Sequence, residues 1–92
     1  KYKGVRVMEA YEEHIPIIKM RLEYPFIYAE FENGEKRQYD INTLIPFREE
    51  YKKLYDVDFF NQAELSPGGL AIFWNDFIDT TSTDIYENGG EI

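Results

Sequence analysis

The chain contains no cysteine and a single histidine, His14. The first absence excludes disulfides and thiolate metal sites, and it fits a reducing compartment. The second excludes a two-histidine metal site or a histidine dyad. No apolar run approaches the roughly 20 residues needed to span a bilayer, and no signal-peptide pattern opens the chain, so a cytoplasmic protein without membrane partners is expected. Basic residues are scarce: 10 Lys and Arg stand against 18 Asp and Glu, for a formal net charge of -8. Nucleic-acid backbones are recognised by neutralising phosphates, so an acidic chain without a basic stripe is repelled by them. The same field favours solubility and draws in a basic partner protein. Internal repeats, long low-complexity linkers and a helix-turn-helix pattern are all missing.

Aromatic residues are plentiful, with 8 Tyr, 7 Phe and 1 Trp among 92 residues. That length suits one domain with one core, and the core should be built from a few large rings. The stretch from Phe26 to Asp40 organises the reading, because two alternating runs flank an Asn33-Gly34 turn signal there. A two-residue loop would mix apolar and charged residues on both faces. A loop of Glu32, Asn33 and Gly34, with Gly34 left-handed in a G1 bulge, pairs Phe31 with Glu35 and Ile27 with Tyr39. Ile27, Ala29, Phe31, Tyr39 and Ile41 then share one face with the Arg37 stem at its rim, while Glu30 meets Lys36 and Tyr28 meets Gln38 on the other. Register follows the pairing that buries one face, so the second loop is expected.

On the N-terminal side, residues 1–14 read as an extension, with only Val5 and Val7 alternating. Ile15 to Leu22 reads as a strand with Ile18, Met20 and Leu22 on one face, ended by Tyr24-Pro25. These runs make a three-stranded antiparallel meander. Beyond Asp40 the period becomes helical: Pro46 suits a first turn, and Phe47, Tyr51, Leu54 and Tyr55 fall on one stripe expected to lie on the sheet. Asp56 caps a second short turn through Phe59 and Phe60. Ser66-Pro67-Gly68-Gly69 is a turn joining Gln62–Leu65 to a strand at Leu70–Trp74 that is apolar on both faces. Thr81 with Asp84 forms a capping box for a short helix that stops at Asn88-Gly89-Gly90. The fold class is α+β: a small antiparallel sheet, a meander plus a second hairpin, packed by two or three short helices.

The segments FENGEKRQYDINTLI, DVDFFNQAELSPGGLAIFW and DTTSTDIYENG resemble family 2442 of the domains of unknown function, over about Ile15 to Gly89. Phe31, Gly34, Asp40, Asp56, Phe60, Pro67, Gly68, Trp74, Ile85, Tyr86 and Glu87 occupy the family's places. Ile85 stands where Leu is usual, Thr81 and Ser82 replace an Asp-Pro pair, and the first 14 residues look additional. The resemblance implies a small bacterial α+β domain at 15–89 followed by a tail at 90–92. It also implies gene arrangements that look like toxin and antitoxin pairs, and in some members a helix-turn-helix module joined to the domain.

No catalytic, cofactor-binding or metal-ligating residue emerges from the pattern. His14 lies in a polar extension, and Ser66, Thr80, Thr81, Ser82 and Thr83 are turn and cap residues by context. Asp76, Asp79, Asp84 and Glu87 form a loose acidic group without the spacing of an EF-hand. Trp74 is expected in the core with its indole N–H satisfied. Tyr28, Leu65, Phe73 and Phe77 are the candidate interaction surface. The expected function is a non-enzymatic interaction or regulatory module, antitoxin-like, with a basic protein or a second copy as partner. The alternatives are a small-ligand or enzymatic domain with its site beside Asp40 and Trp74, and an accessory domain of a DNA-binding regulator.

Overall fold

A computed structural model of the chain describes residues 14–92; the extension with Val5 and Val7 lies outside the described residues except for His14. Two small antiparallel sheets and several short helices make an α+β fold. Strands β1 (Ile17–Glu23), β2 (Phe26–Phe31) and β3 (Lys36–Asp40) form the meander. The hairpin has the expected register, with Ile27 opposite Tyr39, Tyr28 opposite Gln38 and Glu30 opposite Lys36. Its loop closes through Gly34 N–H to the Phe31 carbonyl at 2.9 Å and Phe31 N–H to the Glu35 carbonyl at 2.8 Å. Gly34 sits at φ 90°, a conformation that a side chain disfavours. Ile27, Ala29, Phe31, Tyr39 and Ile41 are all buried, and so is Arg37.

Strand β1 departs from the simple alternation. The register slips between Ile17 and Lys19, so Ile17 faces the core opposite Phe31 while Ile18 is turned out, 58% exposed. A bulge thus corrects the expected placement of Ile18 with Met20 and Leu22, because one extra residue inverts the side-chain alternation. The Tyr24-Pro25 peptide is cis and occupies the two-residue turn between Glu23 and Phe26.

The segment after β3 is not the α-helix that the spacing predicts. It is a run of 3-10 turns at Ile41–Thr43, Ile45–Phe47 and Glu49–Tyr55. Leu44 and Ile45 are buried before the extended Arg48, and beyond it Tyr51 and Leu54, one 3-10 turn apart, are buried again. Phe47 and Tyr55, expected on that stripe, are swung into solvent instead. Asp56 then caps helix α1 (Val57–Phe60), accepting from the Asp58 and Phe59 N–H groups, and Phe60 enters the core.

The second sheet consists of β4 (Glu64–Leu65), β5 (Ala71–Phe73) and β6 (Asp79–Thr81). Its first turn is held by Gly69 N–H to the Ser66 carbonyl and by Ala71 N–H to Ser66 Oγ. Gly69 has φ 76°, and a Cβ there would stand 2.2 Å from the Ile17 carbonyl oxygen. The Ile17 N–H donates to the Gly69 carbonyl at 2.8 Å, so this turn is where the small sheet is fastened to the large one. Helix α2 (Ser82–Asn88) begins at Thr81, whose hydroxyl accepts from the Asp84 N–H. Gly90 and Glu91, read from the sequence as a tail, form β7 against Gln38 and Arg37, so the large sheet has the order β1-β2-β3-β7. Between the sheets and helices lies one core of Phe31, Tyr39, Phe60, Trp74 and aliphatic residues.

Candidate interaction site

The 3-10 geometry that buries Tyr51 and Leu54 also dictates what it leaves outside. Phe47 is 74% exposed, an unusual position for a large ring on an ordered element. Beside it, the Arg48 guanidinium lies over the Tyr51 ring at 4.9 Å and donates through Nη2 to the Phe77 carbonyl at 2.7 Å. The Asn75 side chain bridges the backbone N–H groups of Phe77 and Ile78, which fixes a loop whose Phe77 ring is 72% exposed. Two exposed rings thus belong to the segments that this arginine ties together. Behind them is a cleft of about 340 Å³ walled by Phe47, Arg48, Tyr51, Asp79, Thr80 and Asp84.

The cleft floor is a closed hydrogen-bond network. Asp84 accepts from Tyr39 Oη at 2.8 Å, Thr80 Oγ1 at 2.7 Å and Asn88 Nδ2 at 2.6 Å. The Tyr51 hydroxyl donates to the Asp79 carbonyl. Burial, reinforced by the bond to Asp84, pushes the Tyr39 phenol far above the usual tyrosine range. Burial also raises Tyr51, against the opposing pull of the Arg48 charge. The Tyr39, Tyr51 and Thr80 hydroxyls are each donated to a neighbouring oxygen, which fixes the shape of the cleft floor. Across the core, Arg37 donates to the Tyr86 carbonyl, the Lys36 carbonyl and Glu35, and lies over the Tyr86 ring at 4.3 Å. Its guanidinium is held even more firmly protonated by Glu35.

The residues expected to form one surface are not brought together. Leu65 pairs with Ile72 and packs on the core, whereas Phe73 points to the opposite face of the small sheet between Glu64 and Asp79. Tyr28 lies on the outer face of the large sheet beneath Arg21. Phe77 alone joins the patch at Arg48. Phe47 and Arg48 were missed, because the i, i+4 spacing of Phe47 and Tyr51 reads as one amphipathic helix face.

The Asp40 carboxylate caps the first 3-10 turn at Asn42, and Trp74 Nε1 donates to the Phe60 carbonyl at 2.9 Å within the core. The family-pattern residues are structural in the same sense. Phe31 meets Tyr86 edge to face, Phe60 packs on Trp74, and Pro67 with Gly68 makes the β4–β5 turn. His14 is on the surface within 2.9 Å of Thr83 Oγ1. Among the described residues no three His, Asp or Glu converge to hold a cation, and no helix is long and apolar enough to cross a membrane.

A family model described as a protein of unknown function (DUF2442) matches residues 18–91. The chain belongs to that family. The match takes in both sheets, every helix and the β7 residues. No curated protein and no solved structure matched the chain.

Proposed function

We propose that this DUF2442 domain is a non-enzymatic interaction module, the neutralising or regulatory member of a bacterial two-gene pair, acting in the cytoplasm on a basic partner protein. The observation that carries the reading is the exposed ring of Phe47 next in the chain to Arg48, whose guanidinium is tied to the backbone carbonyl of Phe77, itself an exposed ring. Aromatic and arginine side chains dominate binding energy at protein interfaces, and those held in place beforehand lose little entropy on docking. Glu49 and Glu50 in the adjoining 3-10 turn, Asp76 in the loop and Asp79 at the start of β6 lie nearby, so a basic partner finds attraction at the rim and apolar contact at the centre. The cleft behind Phe47 suits an inserted side chain of that partner better than a reacting substrate, because its hydroxyls and carboxylate already satisfy one another.

Co-expression with the product of the adjoining gene, followed by co-purification, tests this reading. The wild-type chain should retain the partner, and Phe47→Ser combined with Phe77→Ser should release it with an unchanged melting temperature. A wild-type chain that ignores that product sinks the proposal.

A further inference from the structure

One face of the four-stranded sheet meets the core, and among the described residues the other face carries Lys19, Arg21, Glu23 and Lys36 exposed. We infer that this outer face is a self-association surface, on which a second copy of the chain stacks with its strands reversed. Charge is sorted along the strands. At the hairpin end Lys19, Glu30 and Lys36 stand side by side, a net positive row. At the Tyr24-Pro25 end the row is Glu23, Phe26 and Asp40, net negative. Arg21, Tyr28 and Gln38 form the row midway between them.

Because the outer rows lie two residues on either side of the middle row on every strand, a two-fold axis along the middle row superimposes each strand on its own copy, end for end. Lys19 of one copy then lies over Glu23 of the other, and Lys36 over Asp40. An isologous contact requires this kind of self-complementary patch. The apolar part comes from Tyr28 in the middle row and Phe26 in the row beside it, whose rings are 6.2 Å apart, and a shallow groove of about 240 Å³ runs past Tyr28 to Ile92, which is exposed. The two Arg21 side chains nearest the axis do not confront each other bare. Each guanidinium lies 4.2 Å over its own Tyr28 ring and is paired with its own Glu23.

Stacked sheets of this kind sit about 10 Å apart with their strands within about 30° of alignment. Three strands by five residues cover roughly 14 by 17 Å, well short of the ~800 Å² per partner of a stable complex. The dimer is therefore weak, concentration-dependent and sensitive to salt. It uses a surface separate from Phe47 and Phe77, so its failure leaves the reading of that patch standing.

Sedimentation velocity of the full chain over a concentration series tests the inference with three variants. Lys19→Glu and Glu23→Lys each replace two attractive contacts per dimer with two repulsive ones, and each should weaken association about tenfold. The double variant restores opposite charges in exchanged positions and should return to within about threefold of wild type. A one-to-one mixture of the two single variants should form the heterodimer for the same reason. Both sites are exposed, so thermal melts should be nearly superimposable. Four results would overturn the inference: a wild-type chain monomeric to about 1 mM, a dimer indifferent to both single variants, a double variant no better than the singles, or a face whose variants disturb only the complex with a basic partner.

Discussion

Strands β2 and β3 pair across five residues and hide Ile27, Ala29, Phe31 and Tyr39 behind them, whereas β4, β5 and β6 run for two or three residues each and bury little more than Ile72 and Thr80. The large sheet is therefore held by area. At about 25 cal/mol per Å² of apolar surface, a face carrying Ile27, Phe31 and Tyr39 outweighs any single polar contact around it. The small sheet has too little area for that, and its order comes from placed hydrogen bonds. Ser66 closes its turn, Gly69 fastens that turn to Ile17, Ser82 N–H reaches the Leu70 carbonyl, and Tyr51 reaches the Asp79 carbonyl. Long strands tolerate approximate neighbours, while short ones depend on a few contacts within a few tenths of an ångström.

The strongest way to break this contrast is at the centre of the large sheet. Phe31→Ala empties a fully buried site that packs edge to face with Tyr86, and it should cost about 3 to 5 kcal/mol by urea denaturation. Phe73→Ala, on the half-buried outer face of the small sheet, should cost much less. Equal losses at the two positions would show that the two sheets share one mode of stabilisation.

A change of one methyl group probes the other half of the contrast. Gly69→Ala places a side chain on a left-handed backbone and drives its Cβ against the Ile17 carbonyl, so the turn must move away from β1. The expected loss is roughly 2 to 4 kcal/mol. Amide exchange should locate it, with β4 and β5 losing protection while β2 and β3 keep theirs. Uniform loss of protection in both sheets would mean that they unfold as one unit and that the fastening at Gly69 has no local character.

The same division explains which parts of the fold were legible in the sequence. The hairpin register, its Gly34 bulge, the caps at Asp56 and Thr81 and the Pro67 turn depend on neighbouring residues, and each carries its signal locally. The bulge at Ile18 depends on β1 meeting the small-sheet turn, so no alternation within Ile15 to Leu22 announces it. Residues 45–55 mislead because Phe47, Tyr51, Leu54 and Tyr55 fit a 3.6-residue period, while Tyr51 and Leu54 also fit a period of three that starts afresh after the extended Arg48. Tertiary packing chose the second. The exposed ring of Phe47 follows directly from that choice, so the candidate site was hidden by the same ambiguity. Strand β7 is a pair of residues, too short for any pattern, and it pairs with β3 only because α2 delivers it there.

The smallest expected effect is at Tyr39, which lies in the large sheet but donates its hydroxyl to Asp84 at the start of the helix following the small one. Tyr39→Phe keeps the ring and removes the bond, leaving Asp84 with Thr80 and Asn88 as donors, so the cost near neutral pH should be about 1 kcal/mol. Its pH dependence is more informative. The folded state holds the Tyr39 phenol protonated above its ordinary range, so the stability it confers is fully present below about pH 10, where the unfolded tyrosine is also neutral. As the pH rises past that point the unfolded chain gives up a proton that the native state keeps, and stability falls by up to about 1.4 kcal/mol per pH unit. Removing the hydroxyl removes that share of the decline, while Tyr51, also raised by burial, retains its own. Melting curves of wild type and Tyr39→Phe between pH 8 and about 11 should therefore converge as the solution becomes alkaline. Curves that stay parallel would show that Tyr39 ionises normally in the native protein, and that the contact joining the large sheet to α2 is open to water.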